Sequence, residues 1–209
     1  MTILALEFSS ARRSVALARG GAVLAEAVEG GGGRSTNALV LIEKVLAQSK
    51  ISREEIAVIA VGLGPGSYTG IRAAIAVAQG WQLARGVKLL GVSSAESLAA
   101  QAQAAKIFGR MNVVVDAQRG EFYLATWEIS GEQRAEISPL AIVPAAAVTR
   151  RQAAGEICAG PEMAHVLFPS AAMVARLAAG RTDFVRGEQL EPVYLRPTSF
   201  VKAPARRMF

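Results

Sequence analysis

Thr2-Ile3-Leu4-Ala5-Leu6-Glu7 is an apolar run that ends on an acid, and Asn112-Val113-Val114-Val115-Asp116 repeats that pattern later in the chain. Each run leads through a short polar turn into another β-type stretch, residues 14–18 in the first case and 121–128 in the second. A strand, acid, turn and strand that occur twice predict a duplicated α/β architecture.

Working outward from the first unit, Arg19-Gly20-Gly21 turns the chain into a third strand over residues 22–27, which closes an antiparallel meander. After the tract Gly30 to Gly33, Ser35 or Thr36 offers a hydroxyl cap for a helix to about Gln48. A strand over 56–61, a helix over 70–85, a strand over 88–92 and a helix from Ser93 or Ser94 to about Ala105 follow. The order βββαβαβα extends the meander by parallel strands through helical crossovers. Residues 144–180 are Ala-rich and read as mostly helical, broken by Gly155, Gly160-Pro161 and Pro169. The twice-used unit is the organising pattern of the actin-like (ribonuclease H-like) ATPase fold. The expectation is two duplicated lobes of βββαβα order, residues 1–106 and 107–209, the second smaller and degenerate.

Composition narrows the chemistry. The 209 residues are 52% hydrophobic, ample for a core. The opening residues lack a basic leader, and no apolar stretch reaches membrane-span length, so a soluble cytoplasmic protein is expected. A single cysteine, Cys158, and a single histidine, His165, exclude an internal disulfide and a Cys/His zinc site. The net charge of +6 is scattered, and its small clusters, Arg12-Arg13, Arg150-Arg151 and Lys202 with Arg206-Arg207, lack interleaved aromatics.

Gly62-Leu63-Gly64-Pro65-Gly66-Ser67-Tyr68-Thr69-Gly70-Ile71-Arg72 lies between a strand and a helix N-terminus, where an anion could bind. It has no Lys-Ser/Thr ending and no third glycine of a dinucleotide fingerprint, and Pro65 removes a donor, so it reads as a structural turn. At the first hairpin, Glu7 is longer than the aspartate a phosphate-gripping turn would carry, and Phe8 is bulky where glycine would suit. No catalytic, metal or cofactor residues are assigned. A stand-alone kinase using Glu7, Ser9, Asp116 and magnesium is the alternative; a peptidase would need a nucleophile or metal the sequence does not offer.

The helices carry more. Ala38 to Ile42, then Val45 and Leu46, cover more than one core-facing stripe. In the second helix Ile71, Ala73 to Ala78, Trp81, Leu83 and Ala84 leave Arg72, Gln79, Gln82 and Arg85 polar, and Ile75 falls within that polar stripe at 100° per residue. Small alanines permit close approach by another helix, and apolar surface beyond one core's needs points to a partner, the alternative being that both helices are enclosed within a layered core.

The chain resembles the TsaB (YeaZ) family of subunits in tRNA threonylcarbamoyladenosine biosynthesis. The resemblance is strongest at Gly62 to Arg72 and continues through Gly91-Val92-Ser93-Ser94, Asp116 to Tyr123 and Pro192-Val193-Tyr194-Leu195-Arg196. It implies an actin-like fold with a degenerate second lobe and a non-catalytic role beside the transferase subunit TsaD. It further implies packing of the first two helices against TsaD, entry of the TsaE ATPase, a possible homodimer through the same helices, and only indirect involvement with tRNA. The residues expected at that interface are Leu39, Ile42, Val45 and Leu46 with Arg72, Ile75, Gln79 and Gln82. Arg34-Ser35-Thr36-Asn37 departs from the His-Ser-Glu run common in the family.

Overall fold

The structure is a computed structural model that describes residues 1–29 and 37–196. The glycine tract, the Arg34 to Thr36 entry and the basic tail with Lys202, Arg206 and Arg207 lie outside the described residues.

The first sheet is built as the apolar pattern dictates. Strands β1 (Thr2–Glu7), β2 (Arg13–Arg19) and β3 (Ala22–Glu29) form the meander, and β4 (Val58–Gly62) and β5 (Lys88–Val92) join in parallel, in the order β3-β2-β1-β4-β5. Every residue of β1 is buried because this central strand is covered on both faces. Leu4, Leu6, Ile59 and Val61 face helices α1 (Ala38–Ser49) and α2 (Tyr68–Arg85). The alternate residues Ile3, Ala5, Val58 and Ala60 face the late helix α5 (Ala171–Ala178).

Caps fix the helix ends. Asn37 accepts from the Leu39 N–H at 3.1 Å, Ser67 from the Gly70 N–H at 3.3 Å, and Ser93 starts α3 (Ser94–Ala104) by accepting from the Glu96 N–H at 3.3 Å. Gly86 closes α2 at φ 68°, a left-handed conformation that suits glycine.

The second sheet repeats the first. Strands β6 (Gly109–Asp116), β7 (Glu121–Ile129) and β8 (Arg134–Pro144) make a meander, followed by helix α4 (Ala145–Ala153) and the parallel strands β9 (Ile157–Gly160) and β10 (His165–Val166). Its order β10-β9-β6-β7-β8 is the first sheet's order read from the opposite edge. Where the first sheet inserts the whole of α2 between its parallel strands, the second has only the turn at 161–164. That deletion is the physical content of the degeneracy.

The strands divide between the two halves of the chain, but the helices do not. Helix α3 packs Ala95, Leu98, Ala99 and Ala102 on Met111, Val113 and Trp127 of the second sheet, while α5 covers the first.

Two expectations are corrected and one is completed. Residues 144–180 hold only two short helices, with β9 and β10 between them, because Gly155 at φ 77° and Pro161 punctuate extended segments. The third strand that the βββαβα order implies for the second lobe, to which no residues were assigned, is β8; it is a sheet-edge strand with register shifts opposite Leu124 to Trp127 and Pro139 in its middle, so its alternation is broken. Ile75 does not stand on a solvent-facing stripe but is 6% exposed in the core, as are the buried Ile42, Val45 and Leu46. Gln79 and Gln82 made the stripe look wet, yet Gln79 Nε2 donates to the Gly187 carbonyl at 2.8 Å and the Gly187 N–H donates to Gln82 Oε1 at 2.8 Å. A polar partner so distant in sequence leaves no trace in helical periodicity.

Candidate functional site

The turn after β1 and the loop after β4 are locked into each other. Glu7 is fully buried; its Oε1 accepts from the Ser9 N–H at 2.8 Å and its Oε2 from the Ser94 hydroxyl at 2.8 Å, while Ser94 Oγ accepts from the Gly64 N–H at 3.0 Å. The Ser67 N–H donates to the Ser9 carbonyl at 2.7 Å. A Cβ at Gly62 would overlap the Glu7 carboxyl, one at Gly66 the Ser9 carbonyl and one at Gly70 the Phe8 carbonyl. Gly62, Gly66 and Gly70 are therefore required by their close approach to the hairpin, and the N–H groups of Ser9, Gly64 and Ser67 are spent inside the chain. Phe8 itself is core.

Burial pushes the Glu7 carboxyl above its ordinary 4.5, and the hydrogen bonds from Ser9 and Ser94 pull it partly back. The folded state thus favours the neutral acid. Its contribution to stability is fully present below the unfolded value near 4.5 and is lost as pH rises through the folded value. Glu7→Gln is expected to abolish that part of the pH dependence, so that the melting temperature of the variant declines less than the wild type's between pH 4 and pH 8; parallel curves would refute the assignment.

Between the lobes lies an open cleft of about 660 Å3. Of the three residues of the kinase alternative, Ser9 and Asp116 line it and Glu7 does not. Asp116 is occupied in holding its own turn, accepting from the Gln118 N–H at 2.8 Å and from the Gln118 side chain, while Gln118, Arg119 and Gly120 all take positive φ. Among the described residues no group of three His, Cys, Asp or Glu side chains could hold a metal. His165 is exposed on β10, and Cys158 is buried with its thiol pushed upward by that burial. Neither has the setting of an activated nucleophile.

The outer face of α1 and α2 is different in kind. Leu39 is 58% exposed, Val40 48% and Leu83 91%, and a groove of about 460 Å3 between the helices is lined by Leu39, Gly80, Trp81 and Ala84 among others. Arg72, Ala73, Ala76, Gly80, Leu83 and Ala84 are exposed and share one side of α2. Nothing lies within 4 Å of where a Gly80 Cβ would stand, so the chain's own packing gives no reason for glycine there. In a helix interior that glycine costs about 1 kcal/mol against alanine. Of the eight residues expected at an interface, Leu39 and Arg72 are on this face; Ile42, Val45, Leu46 and Ile75 point inward, and Gln79 and Gln82 bind the chain's own later segment. Val40, Gly80 and Leu83, outside those eight, are exposed on the same face. The spacing Ala76, Gly80, Ala84, one small residue per turn, was the available signal.

That later segment runs as a strap. Val185 N–H bonds to the Leu89 carbonyl at 2.9 Å, Leu190 is buried, and the Val193 N–H donates to the Leu63 carbonyl at 2.8 Å. The Tyr194 ring then lies 5.0 Å from that of Tyr68, tilted by 47°. Arg196 reaches the second lobe, donating to the Ala117 carbonyl at 3.0 Å and to Glu121 Oε2 at 2.6 Å.

Comparison with known proteins agrees with this geometry. A solved structure titled as similar to the peptidase YeaZ from Pseudomonas aeruginosa superimposes with a TM-score of 0.78 at 28% identity, covering 93% of this chain and 99% of that one. YeaZ from the same organism gives 0.78 at 27% identity with the same coverage. The fold is that of the actin-like ATPase superfamily. A family model described as "TsaD: tRNA N6-adenosine threonylcarbamoyltransferase" matches residues 33–185. The tRNA threonylcarbamoyladenosine biosynthesis protein TsaB of Escherichia coli K12 is 33% identical over 128 residues, 61% of this chain and 55% of that protein. The Bacillus subtilis protein of the same name is 29% identical over 140 residues, 66% of this chain and 60% of its own. The chain thus spans a little over half the length of the curated relatives it matches, and it belongs to the TsaB/YeaZ family, within the group that the TsaD model describes.

Proposed function

We propose that this chain is the non-catalytic subunit that binds a TsaD-type transferase through the outer face of α1 and α2 and supports threonylcarbamoyl transfer to the adenosine 3′ of the anticodon in ANN-decoding tRNAs. The observation that carries this reading is the unpartnered face itself. Exposed Leu39, Val40 and Leu83 flank a row of Ala76, Gly80 and Ala84 whose glycine has no neighbour in the chain. A row of small side chains lets a second helix approach closely, and exposed apolar anchors supply the area it would bury. The names of the relatives agree with this role. The closed hairpin and the committed Asp116 support a role without chemistry of its own.

In this reading the subunit works by binding one conformation of the transferase better than others. A TsaE-type ATPase joins the pair, the same face closes a homodimer when the transferase is absent, and tRNA is held by the assembly rather than by this chain. The site of action is the cytoplasm; among the described residues no helix is long and apolar enough to cross a membrane.

Reconstitution tests the proposal. With the TsaD-type and TsaE-type subunits, ATP and the threonylcarbamoyl donor system supplied, modified tRNA should accumulate at least about tenfold faster when this chain is present, a difference of roughly 1.4 kcal/mol in barrier. Equal rates with and without it would overturn the role.

A further inference from the structure

The stretch Pro192-Val193-Tyr194-Leu195-Arg196 is left unexplained by a docking face on α1 and α2, since it lies along the cleft. Its contacts nonetheless join that face to the second lobe. Arg72, exposed on α2, donates from Nη1 to the Tyr68 hydroxyl at 2.6 Å and sets its guanidinium 5.2 Å from the centre of the Tyr68 ring. Tyr68 stacks on Tyr194, and both line the cleft. Two residues on, Arg196 spans to the turn after β6, holding the Ala117 carbonyl and the Glu121 carboxylate. At its other end the strap is clamped by Gln79 and Gln82, again from α2.

We infer that this strap is a tie that sets the width of the interlobe cleft, and that docking on α2 and the lobe-to-lobe geometry are coupled through Arg72, Tyr68, Tyr194 and Arg196. The physical basis is one side chain that serves two surfaces. Arg72 is both the cation on the docking face and the group that orients Tyr68. A partner carboxylate that draws the guanidinium outward lifts it off the Tyr68 ring and hydroxyl, and the Tyr68–Tyr194 contact loses its support. At the far end, Arg196 makes a charge-assisted pair together with a backbone contact, which fixes direction as well as distance. Two-lobed proteins transmit small shifts at one surface into rigid-body movement when a discrete contact is exchanged. Arg196 is thus a positioning residue, with no contact to the partner itself. The coupling half of the inference rests on the docking role proposed above.

The test separates the two. Spin labels at Lys50→Cys and Glu132→Cys, both exposed and one on each lobe, report the lobe separation in the full-length isolated chain. Arg196→Ala is expected to broaden or shift that distance distribution while circular dichroism stays unchanged, and Glu121→Gln, which keeps side-chain shape, is expected to do the same to a lesser degree. Unchanged distributions in both variants would overturn the tie, whatever the partner does. Affinity for the TsaD-type subunit is then measured: wild type should bind, and Arg196→Ala should bind roughly five- to tenfold more weakly although it lies off the docking face. Failure of the wild type to bind would sink the docking role and with it the coupling, leaving the tie to stand on the distances. Equal affinity of the two forms would refute the coupling alone.

Discussion

Gly66→Ala should remove a large share of the stability of the fold. Gly66 has φ 145°, a conformation that L side chains rarely adopt, and a Cβ there would overlap the Ser9 carbonyl that accepts the Ser67 N–H. Neither side can yield: Ser9 is held by the Glu7 carboxyl, and the loop is held through Gly64 by Ser94. Backbone strain and loss of the contact together set a destabilisation of roughly 3–5 kcal/mol. Gly20→Ala is the control, since Gly20 also has positive φ, 59°, but nothing within 4 Å; it should cost only about 1–2 kcal/mol. Urea unfolding followed by circular dichroism reads both. If the Gly66 variant were as stable as the Gly20 variant, the hairpin and loop would not be interlocked as described.

Leucine at position 80 should act in the opposite sense on the free chain and far more strongly on its complex. The site is open at the Cβ position and gives onto the groove beside Leu39 and Trp81, and replacement of a mid-helix glycine should raise stability by roughly 0.5–1 kcal/mol. On a docking face that relies on close helix approach, the same side chain would hold the partner off. The expected loss in affinity for the TsaD-type subunit is about 100-fold, near 2.7 kcal/mol. Titration calorimetry or pull-down with the purified subunits decides. A variant that melts higher and still binds undiminished would remove this face from the interface.

Much of the fold was legible because it is written in strong local signals. The runs Ile3 to Leu6 and Val113 to Val115 are buried on both sides and therefore unbroken, and the hydroxyl caps Ser67 and Ser93 mark their helices directly. What escaped was decided by long-range partners. Strand β8 pairs at a sheet edge with bulges, so no clean alternation records it. Which residues of α1 and α2 reach the surface was hidden for a related reason. Apolar count singles out α1 and α2, but which of their sides faces out depends on the sheet beneath and on the strap at Gly187. Leu39 and Arg72 stand on the exposed face together with Val40, Gly80 and Leu83, and a glycine without a local purpose is the signal the sequence carries there.

The placement of α5 bears on how the molecule comes into being. Ala171, Val174, Ala175 and Ala178 cover one side of a sheet whose strands are all made before residue 93. During synthesis from the N-terminus that oily surface waits bare until the ribosome has released residue 178, so the early half has no finished state of its own to reach. The two halves acquire their solubility together, and the nascent chain in between is a natural client for a holding chaperone.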